Sequence, residues 1–376
     1  MILNTKEFKN ICSIILSAVD GSELSNLTET LELKTIGKTL TLSTTNKEYY
    51  AKVSFPLEHE EDFHAAVNAN LFLKLIAAIT TETVELLVKG NVLHIKANGN
   101  YKLPIITEND KMLEIPVITI ENKTLEMNIN SSVLDSIVTY NSKQLAIGSV
   151  AKPVQKMFYV DNKGCITFTT GACVNSFELE KPFSLLLNSR LVNLFKLFKN
   201  TVVKFSLGYD PISETIIQTK VSFETDTITL TAVTGCDDKL LSQVPVDAIR
   251  GRANKAYDNV VVLNVIAITE AINRLLLFSA GYGSKENLKP YSLFKFVDDK
   301  VTIYDTKEEN TEILNYQNGT TLTNEYSMTL DLIEFKKVLD NCNEQYMTMN
   351  FGDGKACVIT RGSIKNVLPE VVTKSV

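Results

Sequence analysis

The stretch Asn70-Leu71-Phe72-Leu73-Lys74-Leu75-Ile76-Ala77-Ala78-Ile79 changes its hydrophobic period as soon as it ends. Within it Phe72, Leu75, Ile76 and Ile79 fall at i, i+3, i+4 and i+7, one stripe of a short helix. Five residues after Ile79, Val84, Leu86 and Val88 occupy every second position, as in a strand. Lys89-Gly90-Asn91 then turns the chain into a second strand through Leu93 and Ile95. Asn68 or Asn70 is placed to cap the helix, because a short side-chain oxygen there satisfies its free amide groups.

The passage recurs twice with the same spacing. Leu191, Leu194, Phe195 and Phe198 form a stripe behind Asn188, followed by Val203, Phe205 and Leu207. Phe335, Val338, Leu339 and Cys342 form another behind Asp331, followed by Met347, Met349, Phe351 and a Gly352-Asp353-Gly354 turn. A second kind of segment alternates with this one. Phe8, Ile11, Cys12 and Ile15 make a helical stripe ahead of strands at 31–36, 39–42 and 50–55. Leu134, Ile137 and Val138 precede strands at 157–160, 165–169 and 174–179, and Ile268, Ala271, Ile272 and Leu275 precede strands at 292–297, 301–304 and 312–316. The chain therefore reads as three copies of helix, strands, helix, strands. Joining segments fall near 107–124, around Pro116, and near 236–260, around Pro245 and Gly251, which sets expected domains at 1–122, 123–255 and 256–376.

Composition bounds what such a chain does. With 376 residues, 44% hydrophobic and 22% charged, it has the apolar content of a globular protein rather than a disordered one. A net charge of −6 argues against coating nucleic acid with the whole surface, yet leaves room for a local basic face. Cys12, Cys165, Cys173, Cys236, Cys342 and Cys357 are far apart and form no CxxC pair, which reads as reduced thiols in the cytoplasm. The N-terminal stretch interleaves charge with its apolar positions, so it is expected as an amphipathic helix and not a signal peptide. No apolar run reaches the roughly 18 residues of a membrane span.

Chemistry-bearing motifs are missing from the sequence. His59, His64 and His94 belong to no HExxH pattern and read as surface or strand histidines. Gly281-Tyr282-Gly283 follows an apolar helix and reads as its stop, not as a phosphate cradle. Glu60/Glu61 and Asp237/Asp238 are adjacent in sequence and cannot share a face, so they are expected in solvated loops. The expectation is a protein without catalysis, metal or cofactor.

Three tandem duplicated domains, ending in Val367-Leu368-Pro369, resemble the bacterial-type DNA polymerase III beta sliding clamp. The resemblance covers nearly the whole chain. It is strongest over Val67 to Ile106, the C-terminal strands, and Thr169-Thr170-Gly171, where the family has Thr-Asp-Gly. Few alanines and many Asn, Lys, Thr and Ile suit an AT-rich genome, so a phage-encoded member fits as well as a chromosomal one. The resemblance implies an α+β fold of three tandem DNA-clamp domains, each a duplicated helix-plus-strands unit. Two chains would join head to tail as a ring, an antiparallel sheet outside and helices inside, around double-stranded DNA read without regard to sequence.

Three surfaces follow. The DNA-facing set is Lys6, Lys9, Lys74, Lys143, Arg190, Lys196, Lys199, Arg274, Lys336 and Lys337. Those ten cations stand against six acids on the predicted helices (5–19, 70–79, 132–145, 188–200, 263–278 and 331–341), a net +4 in a chain of −6, so the remainder carries −10. Such a split attracts phosphate to one face. Glu270, Asp331 and Glu334 dilute it in the third domain.

By resemblance, a groove for short peptides of the DNA polymerase and clamp loader is lined by Thr169, Thr170, Gly171, Val174, Val367, Leu368 and Pro369. Ala172-Cys173 replace the family's His-Arg there, and Glu370-Val371 its Met-Arg, with Thr373 to Val376 added beyond. The homodimer junction would set Tyr101 and Leu103 of one chain against Leu277 and Phe278 of the other. The run Leu275-Leu276-Leu277-Phe278 covers more than one helix face, so part of it lacks an internal core to enter. The competing reading is a repeat scaffold that binds proteins only. A two-domain trimeric clamp is disfavoured by the third copy.

Overall fold

Six strands run directly into helical segments, and each ends on an apolar residue followed by Asn or Asp: Leu3-Asn4, Val67-Asn68, Ile129-Asn130, Leu187-Asn188, Leu263-Asn264 and Leu330-Asp331. The apolar residue enters the sheet's buried face, and the short polar side chain turns back to accept amide protons of the first helical turn. Asn4 takes the Glu7 N–H at 3.2 Å and Asn68 the Leu71 N–H at 3.0 Å. Asn130 takes the Ser132 N–H at 2.9 Å and Asn264 the Ala267 N–H at 3.0 Å. Asp331 accepts from both Ile333 and Glu334.

The computed structural model describes residues 1–20, 25–146, 150–211, 217–234, 238–279, 290–340 and 342–371. Cys236, Asp237, Gly281-Tyr282-Gly283 and Thr373 to Val376 lie outside the described residues.

Leading strands are exchanged between the halves of each copy. Ile2–Asn4 precedes the first helix but pairs with Thr83–Lys89, and His64–Asn68 precedes the second helix but pairs with Thr30–Ile36. The same exchange joins Lys123–Asn130 to Val202–Pro211, Ser184–Asn188 to Met157–Asp161, Asn259–Asn264 to Tyr346–Phe351, and Tyr326–Asp331 to Tyr291–Val297. Each half thus becomes a four-stranded antiparallel sheet completed by a strand from its sister.

The chain packs as two compact units, one of residues 1–135 with 190–236 and one of 136–189 with 237–376. All three cuts pass through the middle copy, because its halves share sheets with different neighbours. In the first unit an eight-stranded sheet runs in the order 123–130, 202–211, 217–224, 228–234, 49–56, 39–45, 30–36, 64–68. Its seam pairs Ile228 with Val53, Leu230 with Ala51 and Ala232 with Tyr49. In the second unit the order is 184–188, 157–161, 164–168, 172–176, 364–369, 356–361, 346–351, 259–264, with Ala172 opposite Val367 and Val174 opposite Lys365 at the seam. Each unit also holds a four-stranded sheet, ending on Asn100–Pro104 in the first and on Thr311–Asn315 in the second.

Apolar stripes read from the sequence meet inside these units. Phe8 and Phe72, on facing helices, lie edge to face at 6.2 Å. Phe335, Val338 and Leu339 join Ile268, Ile272, Leu275 and Leu368 in one core. Several expected boundaries need correction. The helix expected over 132–145 is α-helical only at Ser131–Ser136, widens to a π-turn at Ile137–Asn141 and tightens to 3-10 at Ser142–Gln144. Asn141 causes part of this, since its buried amide turns inward to Thr167 Oγ1 at 3.2 Å, while Ser142 Oγ donates to Val138 O at 2.7 Å. The helix expected over 188–200 is α-helical at Ser189–Asn193 and 3-10 at Leu194–Leu197, which leaves Lys199 beyond its end.

The first helix stops at Leu16, not 19, and the strand expected over 174–179 runs over Ala172–Ser176. Neither joining segment is featureless. The second contains the helix Val246–Ala253. The first contains a hairpin, Thr107–Glu108 with Lys111–Met112, whose tip residues Asn109 and Asp110 both take positive φ, the geometry two-residue hairpin turns require.

Candidate nucleic-acid and partner-binding surfaces

Every cation proposed to face DNA lies on or beside a helical segment. Lys6, Lys74, Lys143, Arg190, Lys196, Lys199 and Arg274 are exposed, and Lys9, Lys336 and Lys337 are partly so. Their availability differs. Arg274 is clamped by Glu312 through two bonds of 2.6 and 2.9 Å, with Glu270 at 3.8 Å. The guanidinium holds the Glu312 carboxyl below the usual carboxylate range. Lys336 is bonded to Asp340 and Lys337 to Glu334, each at 2.6 Å. Arg190 has Asp20 at 3.7 Å.

Among the described residues Lys6, Lys9, Lys74, Lys143, Lys196 and Lys199 form no ion pair. All but Lys143 belong to the first unit. There Lys196 and Lys199 line a cleft of about 790 Å³ with Ser13 of the first helix, Ser17 just beyond it, Lys204, Glu224 and Asp226, and Lys6 and Lys9 line another of about 670 Å³ with Glu82. Lys196 and Lys199 also border a cleft with Asn130, Ser131, Ser132 and Asp135 at the start of the helix Ser131–Ser136. Exposed ammonium groups beside hydroxyls suit phosphate oxygens and read no base.

The residues expected to line a peptide groove come together in the second unit. Thr169 N–H donates to Gly171 O at 2.8 Å, closing a tight turn. A Cβ on Gly171 would stand 2.8 Å from Val367 O and 3.2 Å from Leu368 Cδ2, so only glycine lets this turn lie against the C-terminal strand. Thr169 Oγ1 donates to Glu334 at 3.3 Å. Thr170 is exposed, and Val367 and Pro369 are half-buried. Val174 and Leu368 are only 3% and 2% exposed, so the structure places them in the core and not on an open wall. Cys173 is fully buried, and burial pushes its thiol up to about 12. Glu370 accepts the Tyr326 hydroxyl at 3.1 Å, and Val371 N–H reaches Thr329 O, which gives this departure from the family pattern a local role.

Sheet edges are not visible as such in the sequence. Tyr101 is half-buried and Leu103 buried in the outermost strand Asn100–Pro104. Leu277 and Phe278 are 62% and 55% exposed at the end of the helix Val265–Ser279. Ile313, 59% exposed on the outermost strand Thr311–Asn315, is a residue that sequence reasoning missed. The signal available for it is the place of that strand, third in its half-unit.

By sequence, no protein-family model and no curated protein matches the chain. By structure, it is similar over 99% of its length to 99% of the DNA polymerase III subunit beta sliding clamp of Pseudomonas aeruginosa bound to griselimycin, with 13% identity and a TM-score of 0.81. With the same coverage it is similar to the beta subunit from DNA polymerase of Streptococcus pyogenes (11%, 0.79) and to the DNA polymerase III beta subunit of Thermotoga maritima (14%, 0.78). The fold is that of the sliding clamps, from the first strand to the last. No helix among the described residues is long and apolar enough to cross a membrane.

Proposed function

We propose that this chain is a DNA sliding clamp, a processivity factor that closes around duplex DNA as a head-to-tail homodimer and tethers a polymerase without catalysing a reaction itself. The observation that carries the reading is the fate of the third strand in each half-unit. Four of these six strands pair antiparallel with one another, Tyr49–Pro56 with Ile228–Thr234 and Ala172–Ser176 with Ile364–Pro369. The remaining two, Asn100–Pro104 and Thr311–Asn315, are outermost in their sheets and sit in the first and third copies. Joining them between two chains would repeat the existing seams and leave no such edge open, which is how a closed assembly removes a sheet's exposed hydrogen-bonding groups. Leu277, Phe278 and Ile313 would supply the apolar contact beside that ladder, with Tyr101 opposite.

In this reading the domains are 1–122, 123–255 and 256–376, each duplicated. The unpaired lysines of the first unit make the main phosphate contacts, while Arg274, Lys336 and Lys337 contribute less because acids already hold them. The peptide groove lies at the Thr169-Thr170-Gly171 turn against Val367 and Pro369, and Leu368 and Val174 support it from beneath. Deleting residues 367–376 would remove Val367 from the ladder and Leu368 from the core, so point substitutions at Thr170 or Pro369 are the appropriate probes of that groove. Retention on nicked circular DNA, with loss when the circle is linearised, is the test. Equal retention on both forms, or none on either, refutes encirclement and leaves the protein-only scaffold.

A further inference from the structure

The connecting segment after residue 107 brings a carboxylate over a histidine that the clamp reading does not use. Glu32 and His64 sit diagonally across one ladder, where Lys34 pairs with His64 and Glu32 with Ala66. His64 Nε2 lies 2.8 Å from Glu32 Oε1. Glu114 crosses the same face because its neighbours Leu113 and Ile115 are buried against Tyr50 and Ala66. Ile115 N–H donates to Glu32 Oε2 at 3.3 Å, which fixes that carboxylate in orientation and leaves its other oxygen toward the histidine. One donor atom from each of Glu32, His64 and Glu114 lies within 4.8 Å of the others.

We propose that Glu32, His64 and Glu114 form a binding site for a divalent transition-metal ion of the zinc class, which clips the connecting segment onto the sheet. One imidazole with two carboxylates is a donor set for such ions. Two carboxylates converging beside a face where Glu32 is largely buried repel one another, and a dication neutralises both. A tetrahedral ion with bonds of about 2.0–2.2 Å spaces its ligands roughly 3.4 Å apart. The His64–Glu32 pair therefore opens slightly, and Glu114, whose side chain is 67% exposed, closes in. The hydrogen bond donated by the Ile115 N–H to Glu32 is the outer support that ligating carboxylates characteristically have. An open cavity of about 500 Å³ bordered by both Glu32 and Glu114 gives the ion and a fourth, water ligand a way in. Lys34 Nζ, 3.5 Å from Glu114 Oε1, is the resident competitor and must be displaced.

The test uses the full chain after chelator treatment, titrated with Zn²⁺ by calorimetry and with Co²⁺ by visible absorption. One ion per chain is expected. His64→Ala and Glu114→Gln should each weaken binding by roughly 100-fold or more, since losing a ligand costs at least what losing an outer-shell partner does, and Lys34→Ala should tighten it by about threefold or more once the competing ammonium is gone. Glu114 is exposed, so its variant should melt like the metal-free parent, which separates loss of the site from loss of the fold. Zn²⁺ should also slow proteolysis within 107–120 in the parent but not in either ligand variant. Absence of binding in the parent, binding retained in both ligand variants, a cobalt–thiolate absorption band, or no tightening in Lys34→Ala would each overturn the assignment. None of these readouts depends on DNA, so their failure is distinct from failure of the clamp reading.

Discussion

Replacing Leu277 and Phe278 together by Asp should turn the proposed dimer into monomers while leaving the protomer's fold intact. Their side chains are 62% and 55% exposed in the single chain, so somewhat over half of each remains to be buried at a junction. Full burial of a Leu or Phe is worth about 1.5–3 kcal/mol, which puts the remaining share near 1–1.5 kcal/mol each, or about 2–3 kcal/mol per junction. A two-chain ring has two junctions, and both must open for the chains to separate, so the loss is about 4–6 kcal/mol before any cost of desolvating the new carboxylates. At about 1.4 kcal/mol per tenfold, the dissociation constant should rise by roughly 10³-fold or more. Sedimentation velocity over a concentration series should show the parent near twice 41.9 kDa and the double variant near 41.9 kDa. Because both positions are exposed in the protomer, thermal unfolding of the separated chain should change by no more than about 0.5 kcal/mol. A variant that sediments with the parent at every concentration would refute the junction assignment and the third-strand argument with it.

Changing Lys196 and Lys199 to Ala should flatten the salt dependence of DNA retention by about 0.9 logarithmic units for each phosphate no longer neutralised, measured as retention on nicked circles against salt. Arg274→Ala in the same assay should change it little, since Glu312 already holds that guanidinium. Gly171→Ala would push a methyl against Val367 O and should cost about 1–3 kcal/mol, read as a lower unfolding midpoint in denaturant. Asp161 is largely buried, which by itself raises its pKa. The Arg250 guanidinium, bonded to both oxygens at 2.7 Å, and the Lys163 N–H outweigh that and hold it below the usual range. Its stabilising share is therefore present above the unfolded value near about pH 4 and is lost as pH falls through the lower folded value. Arg250→Ala removes the ion pair and leaves only the Lys163 N–H and the Tyr159 hydroxyl against the cost of burial, so acid unfolding should begin at higher pH, with a loss of about 3 kcal/mol at neutral pH in a denaturant titration.

The tandem order of helices and strands is legible because each buried face repeats a period that water enforces. Phe72 with Ile76, Phe195 with Leu191, and Phe335 with Leu339 mark helices wherever they stand, and all six are buried. Pairing at a distance is not legible. Nothing near Leu3 says that its neighbour across the ladder is Val84, and nothing near Ala51 points to Leu230. The apolar–Asn/Asp signature at Leu3-Asn4 and its five counterparts stands in the sequence, but by itself it marks a cap and not the strand ahead of it. Among site residues, charge type is legible and charge state in context is not. Arg274 and Lys196 look alike until Glu312 arrives from a strand in the same copy. Leu368 and Val174 line a groove by analogy and a core by packing, since an aliphatic side chain in a central strand has two faces to choose from. Ile313 draws no notice because one exposed isoleucine on a strand is ordinary until that strand proves to be an edge.

The exchange of leading strands sets the order in which a nascent chain can acquire structure. Residues 2–4 leave the ribosome well before their partners and cannot be paired until residues 83–85 follow. The seam at Tyr49–Pro56 waits for 228–234, and the edge Ala172–Ser176 waits for 364–369. Contacts so distant along the chain make slow closure and a long interval with bare strand edges. Residues 136–189 are made before the segment that seats them, so translation arrested short of Ile364 would leave an eight-stranded sheet half assembled, with Ala172 and Val174 offering their ladder to whatever strand arrives first.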